Sequence, residues 1–326
     1  MLNHELFLGI DTSCYTTSAA CVCANGIEAD ERILLSVESG DRGLRQSDAV
    51  FRHVRNAESL IPKVLNRVNT RRIAAVGVSS CPSAREGSYM PVFLVGKTLA
   101  SSIAAALGVP LYCYTHQQGH IRAALFGNEE LRGRDFLAFH LSGGTSELLY
   151  VDRDLAIKRV GGTTDINAGQ LVDRLGVRMG LSFPAGKELE ALALSANGAS
   201  GIILPSSVKN LNCSFSGVET KAAAYLDAGV EPADVAYVVY DCIARTLAKL
   251  IINASAEFGI NNFLLAGGVA SSDMLRKMLG IRLENKSVIL RFAEPRLSSD
   301  NAVGTAFMCM DEHLNNKQSS EGMHDE

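Results

Sequence analysis

Phe7-Leu8-Gly9-Ile10-Asp11-Thr12-Ser13 is an apolar run that closes on an acid and two hydroxyls. Phe136-Leu137-Ala138-Phe139-His140-Leu141-Ser142-Gly143-Gly144-Thr145-Ser146 is an apolar run that closes on hydroxyls and two glycines. A second apolar stretch follows each, Ala19 to Cys23 and then Leu148 to Val151. Each segment therefore reads as strand, tight turn, strand, with the hydroxyls and backbone N–H groups of the turn at the sheet edge. A turn rich in Gly, Ser and Thr lets N–H groups converge on an anion without a Cβ in the way. Alone, each would be an ordinary β-hairpin. Their recurrence in both halves predicts a duplicated α/β domain with a phosphate-bearing ligand in the cleft between the copies.

The chain has 326 residues, more than one domain usually holds, and its 47% hydrophobic and 20% charged residues fit packed cores. A net charge of −4 provides no global field for nucleic acid. Arg42, Arg45, Arg52, Arg55, Arg67, Arg71 and Arg72 concentrate positive charge locally, as a solvated face or as a patch for RNA. The eight cysteines follow no metal-knuckle or redox spacing, and Cys113, Cys242 and Cys309 lie in apolar runs as small hydrophobes. Met-Leu-Asn-His-Glu lacks the regions of a signal peptide, and no apolar stretch reaches the ~18 residues of a membrane span. A reduced, cytoplasmic enzyme is expected.

Strands and helices alternate in both halves. Helical spacing marks residues 57–68, 91–107, 116–126, 167–180, 187–196 and 232–258, with further helices from Ser272 and from Asn301. Strands are expected at Ile73–Ser79, Leu111–Tyr114, Phe263–Ala266 and Val288–Phe292, with a Gly/Pro/Asn-rich loop through 197–213. The expected division is 1–133, 134–314 and a polar, disordered tail at 315–326.

Several residues bear chemistry. His116 and His120, four apart, share one helix face and supply half of a metal site, without the glutamate of a zincin protease. Asp300 stands where a helix starts and reads as an N-cap. Asp165, Asp173 and Glu190, each taken alone, read as surface charges, and Asn212-Cys213-Ser214-Phe215-Ser216-Gly217 as a polar turn that can be a plain capping segment.

The order of these pieces resembles the threonylcarbamoyladenosine synthase family, called TsaD in bacteria and once described as a sialoglycoprotein endopeptidase. The resemblance runs from about residue 6 to 310. Its motifs here are Asp11-Thr12-Ser13-Cys14, the 116–120 histidine pair, Ser142-Gly143-Gly144, and Asp165 to Asp173 enclosing Ala168-Gly169. Phe183-Pro184-Ala185-Gly186, Ser214-Phe215-Ser216-Gly217, Ala266-Gly267-Gly268-Val269 and Ser299-Asp300-Asn301 follow. The resemblance implies an actin/hexokinase-like (ASKHA) α/β fold of two ribonuclease-H-like domains with an interdomain nucleotide cleft. It implies one Fe²⁺ or Zn²⁺ held by His116, His120 and Asp300, and a catalytic role for Asp11. Ser142, Gly143, Gly144 and Thr145 would contact threonylcarbamoyl-AMP, Asp173 and Glu190 its ribose and adenine, and Gly186 its base. Ser272 would sit where the family has a nucleotide-binding Asn, and ATP, ADP or AMP would be related ligands. The implied reaction passes the threonylcarbamoyl group to adenine beside the tRNA anticodon, with TsaB-like and TsaE-like partners and no membrane.

The sequence also departs from the family pattern. Its usual first motif, Glu-Thr-Ser-Cys-Asp-Glu-Thr, is Asp11 to Thr17 here, with Tyr15 and Thr16 replacing two acids. Cys81-Pro82-Ser83 replaces a Gly-Pro-Gly loop, Gln118 a Glu, Thr145 a His and Glu219 a Lys. These changes keep two alternatives open: a non-catalytic binding or scaffold paralogue, and a carbamoyltransferase acting on a small acceptor.

Overall fold

The computed structural model describes residues 5–13, 15–35, 44–84, 86–196 and 201–322; Cys14, Arg42, part of the 197–213 loop and the last four residues of the predicted tail lie outside them. The chain folds as two units, one of residues up to 123 together with those from 300 onward, the other of residues 124–299.

The first unit opens with β1 (Leu6–Asp11), β2 (Thr16–Cys23) and β3 (Gly26–Leu34), followed by α1 (Gln46–Leu65), β4 (Ile73–Cys81), α2 (Val92–Leu107), β5 (Leu111–Thr115) and α3 (His116–Ala124). The second unit contains β6 (Phe136–Leu141), β7 (Ser146–Val151), β8 (Ile157–Thr163), α4 (Ala168–Arg178), α5 (Gly186–Leu194), β9 (Ser207–Lys209), β10 (Asn212–Ser214) and α6 (Ser216–Asp227). It continues with α7 (Pro232–Phe258), β11 (Asn262–Ala266), α8 (Asp273–Leu283) and β12 (Ile289–Phe292); α9 (Val303–Gly322) belongs to the first unit.

The duplication read from the two hairpins is present in the topology. The first sheet has the order β3-β2-β1-β4-β5, and the second contains β8-β7-β6-β11-β12, extended by β10 and β9 beyond β8. In both, the first strand pairs antiparallel with the second and parallel with the fourth. The third strands, β3 and β8, escape the periodicity reading. Gly26-Ile-Glu-Ala-Asp-Glu-Arg-Ile-Leu is too polar to read as a core strand, and its mixed exposure shows why.

Core patterning follows the strands. Leu6, Leu8 and Ile10 of β1, with Val76 and Val78 of β4, pack on Leu60 and Val64 of α1 and Ala100 and Ala104 of α2. In the second unit Leu137, Phe139 and Leu141 of β6 meet Val239, Ile243, Leu247 and Leu250 of α7. Cys113, expected as a buried hydrophobe, is exposed instead, because β5 is an edge strand.

Several boundaries differ from the sequence reading: α1 begins at Gln46 rather than near residue 57, and residues 300–314 belong to the first unit rather than the second. Residues 124–133 go with the second unit, where Asn128 Nδ2 donates to Phe292 O at 3.2 Å. The C-terminal segment is helical to residue 322 rather than a disordered tail, since α9 buries residues 303–310 in the first unit. Glycines make this packing feasible. Gly9 and Gly77 are directly paired on β1 and β4, and a Cβ at Gly9 would lie 2.5 Å from Ala302 O and Ala306 N. A Cβ at Gly304 would overlap the carbonyl oxygen of Gly119 on α3.

Gly304→Ala should therefore force α3 and α9 apart and lower stability by about 1–3 kcal/mol. Gly280→Ala, in an open interior position of α8, should instead stabilise by about 0.5–1 kcal/mol. Urea melts of both variants check this; equal midpoints would refute the close crossing.

Candidate functional site

Three elements of the first unit end at one place. β1 delivers Asp11 at its last residue, β5 runs directly into His116 at the start of α3, and Asp300 precedes α9. Thr115 caps α3: Thr115 N donates to Gln118 Oε1 at 3.0 Å, and Gln118 N donates to Thr115 Oγ1 at 3.1 Å. This reciprocal capping box accepts Gln as readily as Glu, so Gln118 preserves the geometry of the histidine motif.

One turn apart on α3, His116 and His120 bring their Nε2 atoms within 2.9 Å of each other. Asp300 Oδ1 lies 3.5 Å from His116 Nε2 and 3.2 Å from His120 Nε2. Ligand atoms bound at about 2.0–2.1 Å around a tetrahedral cation stand roughly 3.3 Å apart, and the observed separations bracket that value. Asp300 is free for this role because it is not the helix cap. Asn301 Oδ1 accepts from Val303 N at 3.0 Å and takes the capping position instead.

Asp11 faces His116. It is buried, its Oδ1 accepts from Ser13 N at 2.8 Å, and its Oδ2 lies 2.8 Å from His116 Nδ1. Accepting the Nδ1 proton fixes the tautomer and turns the Nε2 lone pair toward His120 and Asp300, so Asp11 is a positioning residue. Burial opposes its ionisation, but the attraction of His116 and their hydrogen bond outweigh burial and hold Asp11 below the ordinary carboxylate range. Against the same desolvation, Asp11 and then Asp300 raise His116 well above the usual imidazole value. Asp300 is likewise lowered, burial being overcome by its bonds to both histidines. Two histidines and a carboxylate with a carboxylate behind one imidazole form a donor set suited to a divalent cation, and the residues fit one.

Of the two hydroxyls that close the first turn, that of Thr12 is committed to the fold and that of Ser13 is buried without a hydrogen-bond partner among the described residues. Thr12 is fully buried, with Oγ1 donating to Val92 O at 2.8 Å and accepting from Gly96 N at 3.0 Å. Behind Asp11, Ser79 Oγ and Thr305 Oγ1 are 3.0 Å apart, a pairing that sequence reasoning missed because no motif contains it.

In the second unit, the Ser142–Thr145 turn joins β6 to β7, and the start of α4 is anchored beside it by Ala168 N donating to Ser146 Oγ at 2.8 Å. Asp173 Oδ2 would be 3.8 Å from a Cβ on Gly143, and Asp173 Oδ1 accepts from Ala185 N at 2.9 Å. Burial raises the pKa of Asp173, partly offset by that N–H. Gly186 opens α5, and its carbonyl accepts from Tyr240 Oη at 3.0 Å. Burial first, then the charges of Glu190 and Asp173, suppress ionisation of Tyr240. Sequence reasoning missed this tyrosine, which hides in the apolar face of α7. Glu190 Oε1 accepts from Met274 N at 2.7 Å, while Ser272 Oγ accepts from Leu275 N at 3.1 Å. Asp173, Gly186, Glu190 and Ser272 thus form one connected path through Tyr240 and the start of α8. Asp165 stands apart as a structural acid, accepting from Phe215 N, Ser216 N and Ser216 Oγ at the start of α6.

The model of one protein family, the tRNA N6-adenosine threonylcarbamoyltransferases (TsaD), matches residues 37–307. The chain belongs to this family. A curated relative, the tRNA N6-adenosine threonylcarbamoyltransferase of Archaeoglobus fulgidus, is 29% identical over 300 residues, covering 92% of this chain and 89% of its own. Solved structures show the same ASKHA-type fold at low identity. HypF of T. kodakarensis superposes with a TM-score of 0.64 at 16% identity, over 97% of this chain and 48% of its own. The activator of 2-hydroxyisocaproyl-CoA dehydratase from Clostridium difficile gives 0.57 at 14% identity, over 97% and 98%. A ROK family glucokinase from Streptomyces griseus gives 0.55 at 12%, over 94% and 100%.

His116→Ala should lose stoichiometric divalent metal while keeping the far-ultraviolet spectrum of the wild type. Asp11→Asn should weaken metal binding about 10–100-fold through loss of the charge behind His116. Elemental analysis and chelator competition read both; equal metal in wild type and His116→Ala would eliminate the site.

Proposed function

We propose that this chain transfers a threonylcarbamoyl group from threonylcarbamoyl-AMP to the amino nitrogen of the adenine beside the anticodon of tRNA. The observation that carries the reading is the convergence of His116, His120 and Asp300, with Asp11 behind His116, in a chain of the tRNA N6-adenosine threonylcarbamoyltransferase family. The cation proposed there is iron or zinc, which supplies Lewis acidity to polarise the carbamoyl carbonyl and to steady charge as AMP departs. The remaining roles fall to the chain. His116, His120 and Asp300 hold the cation, and Asp11, by accepting the Nδ1 proton, directs the Nε2 lone pair of His116 toward it. Asp173 and Glu190 accept ribose and adenine donors, Gly186 lets the base approach, and Ser142 to Thr145 hold the phosphoryl end.

In the transfer, the adenine nitrogen bonds to the carbamoyl carbon as the bond from that carbon to the phosphate oxygen breaks. AMP takes the electron pair, and one amino proton is released. Recruitment of tRNA is assigned to a complex with TsaB-like and TsaE-like proteins in the cytoplasm, which suits a chain of net charge −4. Arg45 and Arg55 are exposed on and before α1, whereas Arg67 pairs with Glu31 at 2.7 Å. No helix among the described residues is long and apolar enough to cross a membrane.

The loss of the family acids at Tyr15 and Thr16 favours a second reading, carbamoyl transfer to a small acceptor. Tyr15 is 41% exposed, and Thr16 is buried in β2. Complementation of a strain depleted of its own TsaD decides between them. Restored growth with threonylcarbamoyladenosine in hydrolysed tRNA is expected. Well-folded protein with no modified adenosine would refute tRNA as the acceptor.

A further inference from the structure

The turn that closes β6 satisfies its own polar atoms, and an imidazole stands behind it. Ser142 N donates to Thr145 O at 2.8 Å, while Ser142 Oγ accepts from Gly144 N at 3.2 Å and Thr145 N at 3.1 Å. A serine oxygen accepts two hydrogen bonds and donates one. With both acceptor positions filled, the Ser142 proton goes to Thr145 Oγ1, 2.8 Å away. Thr145 Oγ1 in turn lies 3.2 Å from His140 Nδ1. His140 is 7% exposed and sits among apolar residues of β6, opposite Glu147 on β7 and Ala266 on β11. Leu137, Phe139 and Leu141 enter the core, so strand alternation places His140 on the other face of β6.

Burying an imidazole in a strand is costly without a hydrogen-bond partner, and Thr145 supplies one. The chain of hydroxyls then has a direction. When His140 donates from Nδ1, Thr145 Oγ1 accepts from both His140 and Ser142, and its own proton is left for a group outside the turn. The N–H groups of Ser142, Gly144 and Thr145 are already committed within the turn, so an oxyanion there finds this hydroxyl as a donor beside the N–H of Gly143.

We infer that His140 is a positioning residue for the adenylate: through Thr145 it aims a hydroxyl proton from the Ser142–Thr145 turn at a phosphoryl oxygen of the nucleotide. The inference rests on the nucleotide role proposed above for this turn, and it adds a residue that none of the family motifs quoted above contains.

Calorimetry on the full-length, metal-loaded protein, with AMP as the probe, tests it. His140→Phe keeps the ring volume without a polar nitrogen, and Thr145→Val removes the hydroxyl. Each should weaken AMP binding about tenfold, the scale of one hydrogen bond to a charged ligand. The double variant should bind no more weakly than either single one, because both break the same relay. His140→Asn, which restores a donor near the Nδ1 position, should recover binding to within about threefold. In turnover with threonylcarbamoyl-AMP, the loss should appear in KM with kcat retained, a split that general destabilisation does not produce. Folded His140→Phe with wild-type affinity, or additive losses in the double variant, would overturn the relay alone. Should His140→Phe not fold, Thr145→Val against Thr145→Ser decides: equal AMP affinity overturns the relay, and a loss only in the valine variant supports it. Wild-type protein that binds no AMP would overturn the nucleotide reading of the turn and the inference with it.

Discussion

The close seating of α9 on the first unit is the constraint on which the convergence of His116, His120 and Asp300 depends. Gly9 and Gly77, side by side on the two central strands, form a floor without side chains, and α9 rests on it near Ala302, Ala306 and Cys309. At its N-terminal end Gly304 crosses α3 at Gly119, backbone against backbone. That crossing sets the distance between Asp300 and the two imidazoles, because Asp300 lies three residues before the first turn of α9 and His116 and His120 lie on α3. A methyl group in the wrong place would move a ligand by the width of a coordination bond. The carboxylate is available because Asn301 caps the helix in its stead.

The same strand order serves two chemistries. In each unit the turn between the first and second strands lies at the carboxyl end of the central strand, next to the parallel strand that follows. In the first unit that turn is drawn inward: Asp11 is buried behind His116, and Thr12 is tied to α2. In the second unit the equivalent turn remains at the surface, with Gly143 and Gly144 exposed and its hydroxyls linked back to His140. One copy thus gathers a donor set suited to a cation and the other presents a hydroxyl-rich loop. The difference rests on whether an acid or a glycine pair follows the strand.

Charge burial in the first unit is tolerated because every member has a partner. Asp11, His116, His120 and Asp300 form an alternating series of acids and imidazoles, so each desolvated group meets an opposite or hydrogen-bonding neighbour. The second unit uses a milder device. Ser272 and Glu190 satisfy the opening N–H groups of α8, the ordinary work of a helix start, and are thereby held in place without being spent on a strong ion pair.

Local signals settled much of this protein. The paired hairpins, the apolar face of the 27-residue α7, Pro91 and Gly108 around α2, and the four-residue spacing of His116 and His120 are all properties of neighbouring residues. They fixed the fold class, the duplication and two of the three side chains that converge at the candidate metal site, and the ordered motifs named the family. What tertiary structure decided has sequence separations that no local pattern spans. His116 meets Asp11 across 105 residues, and Ser79 meets Thr305 across 226. β3 remained hidden because its polar residues are half-exposed at a sheet edge, and the C-terminal segment reads as a tail because its apolar face is confined to its first turns. The role of Asp11 entered from the family resemblance, and its partner is not legible from the residues around it. Only the packed α3, with His116 2.8 Å away, turns that acid into a support for another residue.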